Sequence, residues 1–406
     1  MKGSQASYSE RRMRFRPAKW IVAWQVALSL VLLVASGLFL RSFVKLSTLD
    51  IGFDRKNVLV VHADLHTAKV PPEQWLATYE QIEARLHSLP GVVSSGRSVM
   101  TPISGFEWNQ FVHTDSPNSP TGDNALVYFN FISPGYFETM HTPLLAGRNF
   151  NDHDTQASTQ VAIINQTMAR KFFPNTDPLG KYFTTEPDPG KPAPKLQIVG
   201  LARDSKYESL REDTLSTAFF PVAQVPEDSS ENFILRTATP PMSLVSAVQE
   251  AVASVDKGIP IEFATLAQQV DDSLVEERLL ATLSTFFGGL SLLLAMIGLY
   301  GALSYLVAQR QPEFGIRMAL GAPRASILRL VMRDVVVVLA GGLGAGACLA
   351  FATVGVLDKM LFGLAPHDSF TFLAAIGVLS AVGVVAGYLP ARRAMRVDPI
   401  VALRYE

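Results

Sequence analysis

The chain has 406 residues, of which 48% are hydrophobic and only 17% charged, with a mean hydropathy of +0.22. Soluble domains carry about 25% charged residues, so this composition argues against a purely soluble enzyme and against a disordered chain. The net charge of −1 gives no global sign of nucleic-acid binding, and the single cysteine, Cys348, excludes an intrachain disulfide and any cysteine-based zinc cluster.

In chain order, the first feature is a basic segment, 1–19, with six basic side chains. It is followed by 20–40, which has no charged residue. Three more charge-free runs follow at 279–309, 335–357 and 369–391. About 20 apolar residues span a ~30 Å hydrocarbon core, so each run is long enough to cross as a helix. The first resembles a signal peptide in its basic flank. However, its apolar run exceeds the usual length of about 7–15 residues and ends at Arg41 without a small-x-small cleavage site, which favours a retained helix.

Charge sets the orientation. Segment 43–277 holds 17 basic and 29 acidic side chains, a net of −12, which leaves +11 for the remainder. The basic excess sits in 1–19, in the loop 308–334 (Arg310, Arg317, Arg324, Arg329, Arg333) and in the tail 390–406 (Arg392, Arg393, Arg396, Arg404). The positive-inside rule places both termini and the loop in the cytoplasm and 43–277 outside. The expected organisation is a cytoplasmic N-terminus (1–19), a first span (20–42), an extracytoplasmic domain (43–277), a second span (278–309), a cytoplasmic loop (310–334), spans at 335–357 and 369–391, and a cytoplasmic tail (392–406). This is a membrane protein with four transmembrane helices, one N-terminal and three C-terminal, and a large α+β domain inserted between the first two.

Within that domain the spacing predicts strands at 58–65, 91–100, 124–132, 196–202, 216–222, 232–238 and 259–264, and a strand followed by a helix within 160–173. Further helices are expected at 71–89 (Trp75, Tyr79, Ile82, Leu86), after the Pro134-Gly135 turn and at 242–255. Pro187, Pro189, Pro192 and Pro194 make 187–194 a loop. Residues 266–283 contain no Gly or Pro and read as one helix running straight into the second span.

Candidate chemistry is sparse. His62, Asp64 and His66 at alternate positions would share a strand face and suit metal ligands, although an ordinary polar face is the plainer reading. Asp152, His153 and Asp154 suit calcium or, more simply, a solvated turn. Gly180-Lys181 lacks the upstream glycine of a phosphate-binding loop, because position 175 is Asn175, and Tyr182 stands where Ser or Thr is needed. No ionisable relay crosses the bilayer within the spans, as ion-coupled carriers usually need. The pairs Gly342/Gly346 and Gly383/Gly387 permit close helix packing, within one bundle in preference to a homodimer.

The loop 310–334 is the most informative stretch. Pro312 and Glu313 suit a first helical turn, Gly321-Ala322-Pro323 stops it, and 324–334 restart as a basic amphipathic helix along the membrane. EFGIRMALGAPRASILRLVMRD (313–334) resembles the coupling segment of FtsX/MacB-type ABC transporter permeases. RLLATLSTFFGGLSLLLAMIGLYGALSYLVAQR (278–310) and YLPARRAMRVDPIVALRYE (388–406) resemble that family's second span and C-terminal tail. SPGYFETMHTPLLAGRNFNDHD (133–154), VAIINQTMARKFFPNTDPLGKYF (161–183) and IVGLARDSKYESLRED (198–213) resemble its MacB-like periplasmic core domain. QVALSLVLLVASGLFLRSF (25–43) resembles the acidobacterial duplicated orphan permeases, whose members usually carry two such units where this chain has one. The single unit is expected to be either a truncated half or a genuine one-unit permease.

The resemblance implies a permease subunit that makes no bonds itself and binds no cofactor. A separate ABC-type ATPase, which would bind ATP, pushes a coupling helix around Glu313, Gly315, Arg317, Gly321 and Ala322, and force passes along the second span to the outer domain. Gly321 is expected to cap the helix with a positive φ, and Arg317 to meet an acid on the ATPase. The implied setting is the bacterial inner membrane and its lipid. The implied partners are a second copy or another permease, and for export a periplasmic adaptor or outer-membrane channel; no nucleic acid is involved. The alternatives are an FtsX-like regulator of a cell-envelope hydrolase, or a membrane-anchored metal enzyme using the His62/His66 face.

Overall fold

The computed structural model describes residues 4–115, 119–187, 192–224, 230–357, 360–363 and 368–395. Pro189, Asp358, Lys359 and the tail from Arg396 through Arg404 lie outside the described residues. The chain divides into a helical unit, Met1–Thr48 with Val275–Glu406, and an α/β unit, Leu49–Leu274. The chain starts with α1 (Ser4–Ser47). Its apolar window, Trp20–Ser47, has a mean hydropathy of 2.2. The helix therefore begins inside the basic segment expected to be a separate tail, and it outlasts the charge-free run, because neither Arg41 nor Lys45 interrupts a helical hydrogen-bond ladder.

The α/β unit is built on one mixed sheet but contains two cores. The chain forms β1 (Val58–Ala63), α2 (Trp75–His87) and β2 (Val92–Ser98). It then makes β3 (Asn109–Phe111), β4 (His113–Thr114), β5 (Leu126–Ile132), α3 (Tyr136–Met140), β6 (Leu144–Gly147), β7 (Val161–Asn165), α4 (Gln166–Phe172), β8 (Tyr182–Thr184), β9 (Lys195–Ala202) and β10 (Thr217–Pro221). It returns with β11 (Asn232–Thr237), α5 (Val245–Ala253), β12 (Ile261–Thr265) and α6 (Leu266–Asp272). The strand order is β12-β1-β11-β2-β5-β10-β7-β9-β8-β4, with β3 on β5 and β6 on β9. Strands β2 and β5 meet through a single registered pair, Ser98 with Ile132, so the sheet is two lobes joined at one point.

The first lobe packs α2 and α5 on β1 and β11 around Trp75, Tyr79, Ile82, Leu86, Phe233 and Val248. The spacing of three and four puts the α2 residues on one stripe, as the sequence predicts. The second lobe buries Phe129, Ile164, Met168, Phe172, Ile198 and Phe220. Asn165 sets its strand-to-helix corner, since its side chain accepts from Met168 N at 2.9 Å and from Thr217 N at 3.0 Å.

Helix 266–283 does not run unbroken. It ends at Asp272, and Ser273-Leu274 form a turn before the next helix. Ser273 Oγ donates to Val270 O at 2.7 Å, and Leu274 N reaches back only three residues, to Asp271 O. A side-chain bond that competes for the ladder and the burial of Leu274 at 2% exposure break the helix where neither Gly nor Pro does.

Arg97 on β2 is buried across the junction of the lobes. Its Nε donates to Glu83 Oε2 at 2.6 Å and its Nη1 to Glu231 Oε2 at 2.8 Å. Burial pushes the Glu231 carboxyl up to about 7, against the opposing pull of Arg97 and helped by the charges of Glu83 and Glu80. The folded state thus holds this proton more tightly than the unfolded chain, whose glutamate titrates near 4.5. The associated stability is present below the unfolded value and is lost as pH rises through about 7. Amide-exchange protection of β2 and β11 in the full chain should fall between about pH 5 and pH 8, and Glu231→Gln should flatten that fall. A parent and variant with identical pH profiles would contradict this assignment.

The remaining helices are α7 (Val275–Gln309), α8 (Gln311–Ala319), α9 (Arg324–Leu357) and α10 (Ser369–Ala394). With α1, helices α7, α9 and α10 are long and apolar enough to cross a membrane. They share one core of Val26, Leu30, Val34, Leu299, Leu303, Val335, Leu339 and Leu379. A Cβ on Gly342 or Gly346 would lie 2.8 Å from the carbonyl oxygen of Ala23 or Ala27. One on Gly383 or Gly387 would lie 2.6 Å from Leu339 or Val335. All four glycines therefore serve packing within the bundle. The basic stretch 324–334 is not a separate interfacial helix. It forms the first turns of α9, continuous with the apolar run, because the end of a charge-free stretch marks a change of solvent and not of backbone hydrogen bonding.

Candidate functional site

The residues flagged in the loop come together on α8 and the turn after it. Four apolar side chains alternate through this stretch: Phe314, Ile316, Met318 and Leu320. The helical period separates them into two pairs four residues apart. Phe314 is 1% exposed and, with Met318 beside it, packs among Val307 of α7, Ile327 and Val331 of α9 and Ala391 of α10. Ile316 and Leu320 point the other way, 51% and 82% exposed. One apolar edge wedges α8 against three long helices, and the other is left bare.

Glu313 and Arg317 share the bare side. Arg317 Nη2 lies 2.6 Å from Glu313 Oε1, an i,i+4 pair with both side chains about half exposed. Gly315 is buried beside Phe314. Gly321 adopts φ +88°. Its N–H donates to Met318 O at 3.0 Å and that of Ala322 to Arg317 O at 3.0 Å. This is a Schellman termination, in which glycine supplies the left-handed residue at least cost. Pro323 then opens α9, where Ser326 Oγ donates to Pro323 O at 2.7 Å. Nearby, Arg310 pairs with Asp334 at 3.0 Å, and Arg393 donates to the Tyr300 hydroxyl at 2.8 Å. The ends of α7, α9 and α10 are thus tied together around a short, self-capped helix.

The metal candidates do not assemble. Strand β1 stops at Ala63, so only His62 lies on it, with Nδ1 3.0 Å from Asn232 Oδ1. Asp64 caps the following turn, accepting from Thr67 N at 2.9 Å and Thr67 Oγ1 at 2.6 Å. Asp154 is held by both Nη atoms of Arg148, at 2.7 and 2.8 Å. Among the described residues no group of three His, Cys, Asp or Glu side chains is placed to hold a metal ion. Sequence reasoning missed Phe314, Ile316 and Leu320. The alternation at 314–320 was the available signal, once read with a helical period.

The model of the MacB-like periplasmic core domain matches residues 26–255, and that of the FtsX-like permease C-terminal region matches 285–399. A macrolide export ATP-binding/permease protein MacB from Rhodospirillum rubrum is 29% identical, over 67% of this chain and 42% of its own length. The uncharacterized ABC transporter permease YknZ of Bacillus subtilis is 29% identical over 68% of this chain and 70% of that one. A pyoverdine export ATP-binding/permease protein PvdT from Pseudomonas syringae pv. tomato is 26% identical over 97% of this chain and 58% of that one. The chain thus covers less than half the length of the MacB relative it matches. With the first model alone matching more than half of its residues, and four apolar helices around an α/β unit, this membrane protein belongs to the ABC transporter permease family that joins a MacB-like periplasmic core domain to an FtsX-like C-terminal region.

Proposed function

We propose that the chain is the transmembrane subunit of an ABC-type complex that works by mechanotransmission in export. A partner ATPase binds ATP, closes and pushes on α8 through the face formed by Ile316, Arg317 and Leu320, with Glu313, Gly321 and Ala322 beside it and the buried Gly315 on the opposite, packed side. Phe314 passes the displacement to α7, α9 and α10, and α7 carries it toward the α/β unit. Both termini and α8 lie in the cytoplasm, the spans in the inner membrane, and residues 43–277 outside. Two permease units, identical or different, flank the site of action, and an adaptor or outer-membrane channel completes the route. The chain contributes no ATP site and no cofactor.

The observation that carries this reading is the construction of α8. A nine-residue helix capped at its C-terminus and anchored by one buried aromatic side chain leaves exposed isoleucine, leucine and arginine facing away from its own protein. Such a helix has the form of a handle. The export names of the MacB and PvdT relatives favour transport over control of a hydrolase.

Orientation tests the reading. In a Cys348→Ser background, Asp123→Cys should react with a membrane-impermeant maleimide on intact cells, and Leu320→Cys only after permeabilisation. Labelling of Leu320→Cys from outside would overturn the assignment.

A further inference from the structure

A cleft of about 570 Å³ lies at the outer edge of the second lobe, between the end of β4 and the loop that joins α4 to β8. That volume is in the range of small-ligand sites, about 300–1,000 Å³. Phe173, Pro174 and Tyr182 line it with apolar surface, and Gly180, at φ +75°, leaves open space where a side chain would stand. Two ammonium groups are laid on its rings. Lys181 Nζ lies 5.5 Å from the centroid of the Phe173 ring, and no carboxylate among the described residues comes within ion-pair distance of it. Lys195 Nζ lies 4.9 Å from the centroid of the Tyr182 ring, and its carboxylate neighbour, Asp115 at 3.8 Å, is 92% exposed. An aromatic face holds an ammonium in place without neutralising it. Within a segment of net charge −12, the cleft is thus a local positive spot.

Thr114 is an independent mark of the same kind. It lines the cleft, and its Oγ1 is buried and makes no hydrogen bond among the described residues. A buried hydroxyl without a partner costs free energy, which an acceptor oxygen bound in the cleft relieves. The lysines ask for acceptors too, since an ammonium offers donors only. The charges of Lys181 and Lys195, less that of Asp115, leave a single positive charge to balance. An amine would meet the two lysines as like charges. A doubly charged phosphate would exceed the balance and face Asp115. A neutral aromatic compound would leave Lys181 unmatched. A carboxylate on a flat apolar body answers the charge, the donors and the walls together. We propose that this cleft binds an aromatic monocarboxylate, its carboxylate at Lys181 and Thr114 and its ring against Pro174 and Tyr182, in the space beside Gly180. The proposal rests on the α/β unit alone and goes beyond the coupling role assigned to α8.

The test uses the full chain in phosphatidylcholine nanodiscs, without nucleotide or partner, so its result is independent of ATPase coupling. The probe is 4-benzoylbenzoate, an aromatic carboxylate that crosslinks on illumination. Labelling should saturate and fall on peptides containing Pro174 or Tyr182. The uncharged amide of the same shape, 4-benzoylbenzamide, should bind at least about tenfold more weakly. Lys181→Gln should weaken the carboxylate by a similar factor and leave the amide unchanged, and Thr114→Val should weaken the carboxylate about threefold or more. Absence of saturable labelling, equal affinity for the amide, indifference to either substitution, or crosslinks confined to other segments would each overturn the site. Amide-exchange protection of β8 and β9 equal to that of the parent chain separates loss of the site from loss of the fold in the variants. The preference for the carboxylate and the map of crosslinks are read on the parent chain, so they decide the matter even where a variant is unstable.

Discussion

If α8 is the coupling element proposed above, Ile316→Glu combined with Leu320→Glu should abolish any stimulation of ATP turnover that the chain gives to a partner ABC ATPase. Fully burying one such side chain contributes about 1.5–3 kcal/mol, so removing two from an interface weakens association at least about a hundredfold. The added carboxylates raise the cost, since each would be desolvated without a partner. The permease itself should remain folded, because both side chains are exposed and Phe314 keeps α8 seated. A charge exchange, Glu313→Lys with Arg317→Glu, complements this. It retains an oppositely charged i,i+4 pair and so keeps the helix, while reversing the charge that an ATPase would meet. Turnover in reconstituted membranes and co-purification of the two subunits measure both effects. Undiminished stimulation in the apolar double variant would remove α8 as the transmission element.

The second large effect concerns the bundle. Gly346→Leu places a Cβ 2.8 Å from Ala27 O and 2.9 Å from Ala27 Cα, and backbone atoms of a packed helix cannot turn aside as a side chain can. Helices α1 and α9 must separate, which forfeits contacts along Val26, Leu30 and Val338. Overpacking of this kind costs about 1–3 kcal/mol, and a forced helix separation belongs at the upper end. Gly344→Leu is the matched control, since nothing lies within 4 Å of its Cβ position and the change raises helix propensity. The expected result is a marked fall in the fraction of monodisperse protein in detergent after mild heating for the first variant and none for the second. Equal behaviour of the two would mean that α1 and α9 do not pack through Gly346.

The spans were legible because lipid imposes one rule, absence of charge over a fixed length, that tertiary context does not override. Gly321 was legible for a similarly local reason, since a left-handed helix stop depends on a few adjacent residues. The turn at Ser273-Leu274 was not, because its cause is the burial of Leu274 together with a hydroxyl that most helices tolerate. Strands β3, β4, β6 and β8 escaped for lack of length, and two to four residues carry no period of their own. The alternating reading of His62, Asp64 and His66 failed because β1 ends one residue after His62. The surface between the two lobes could not be read at all, because Leu76 of α2, Arg97 of β2, Phe150 and Val222 line one cleft there only once the sheet has folded.

The two lobes also differ in how the chain supplies them. The second lobe is a contiguous run from β3 to β10, whereas the first needs β1 and β2 from before that run and β11 and β12 from after it, with β11 lying between β1 and β2. During synthesis, β1 and β2 therefore emerge with no strand to join them. They wait, edges open, while more than a hundred residues follow. The enclosed lobe can fold in that interval and, once compact, draws the two flanking pieces close, lowering the entropy lost when β11 slots in. A defect in the enclosed lobe should thus appear first as aggregation seeded by β1 and β2, at a distance from the lesion, and a chaperone of the nascent chain would find its substrate there.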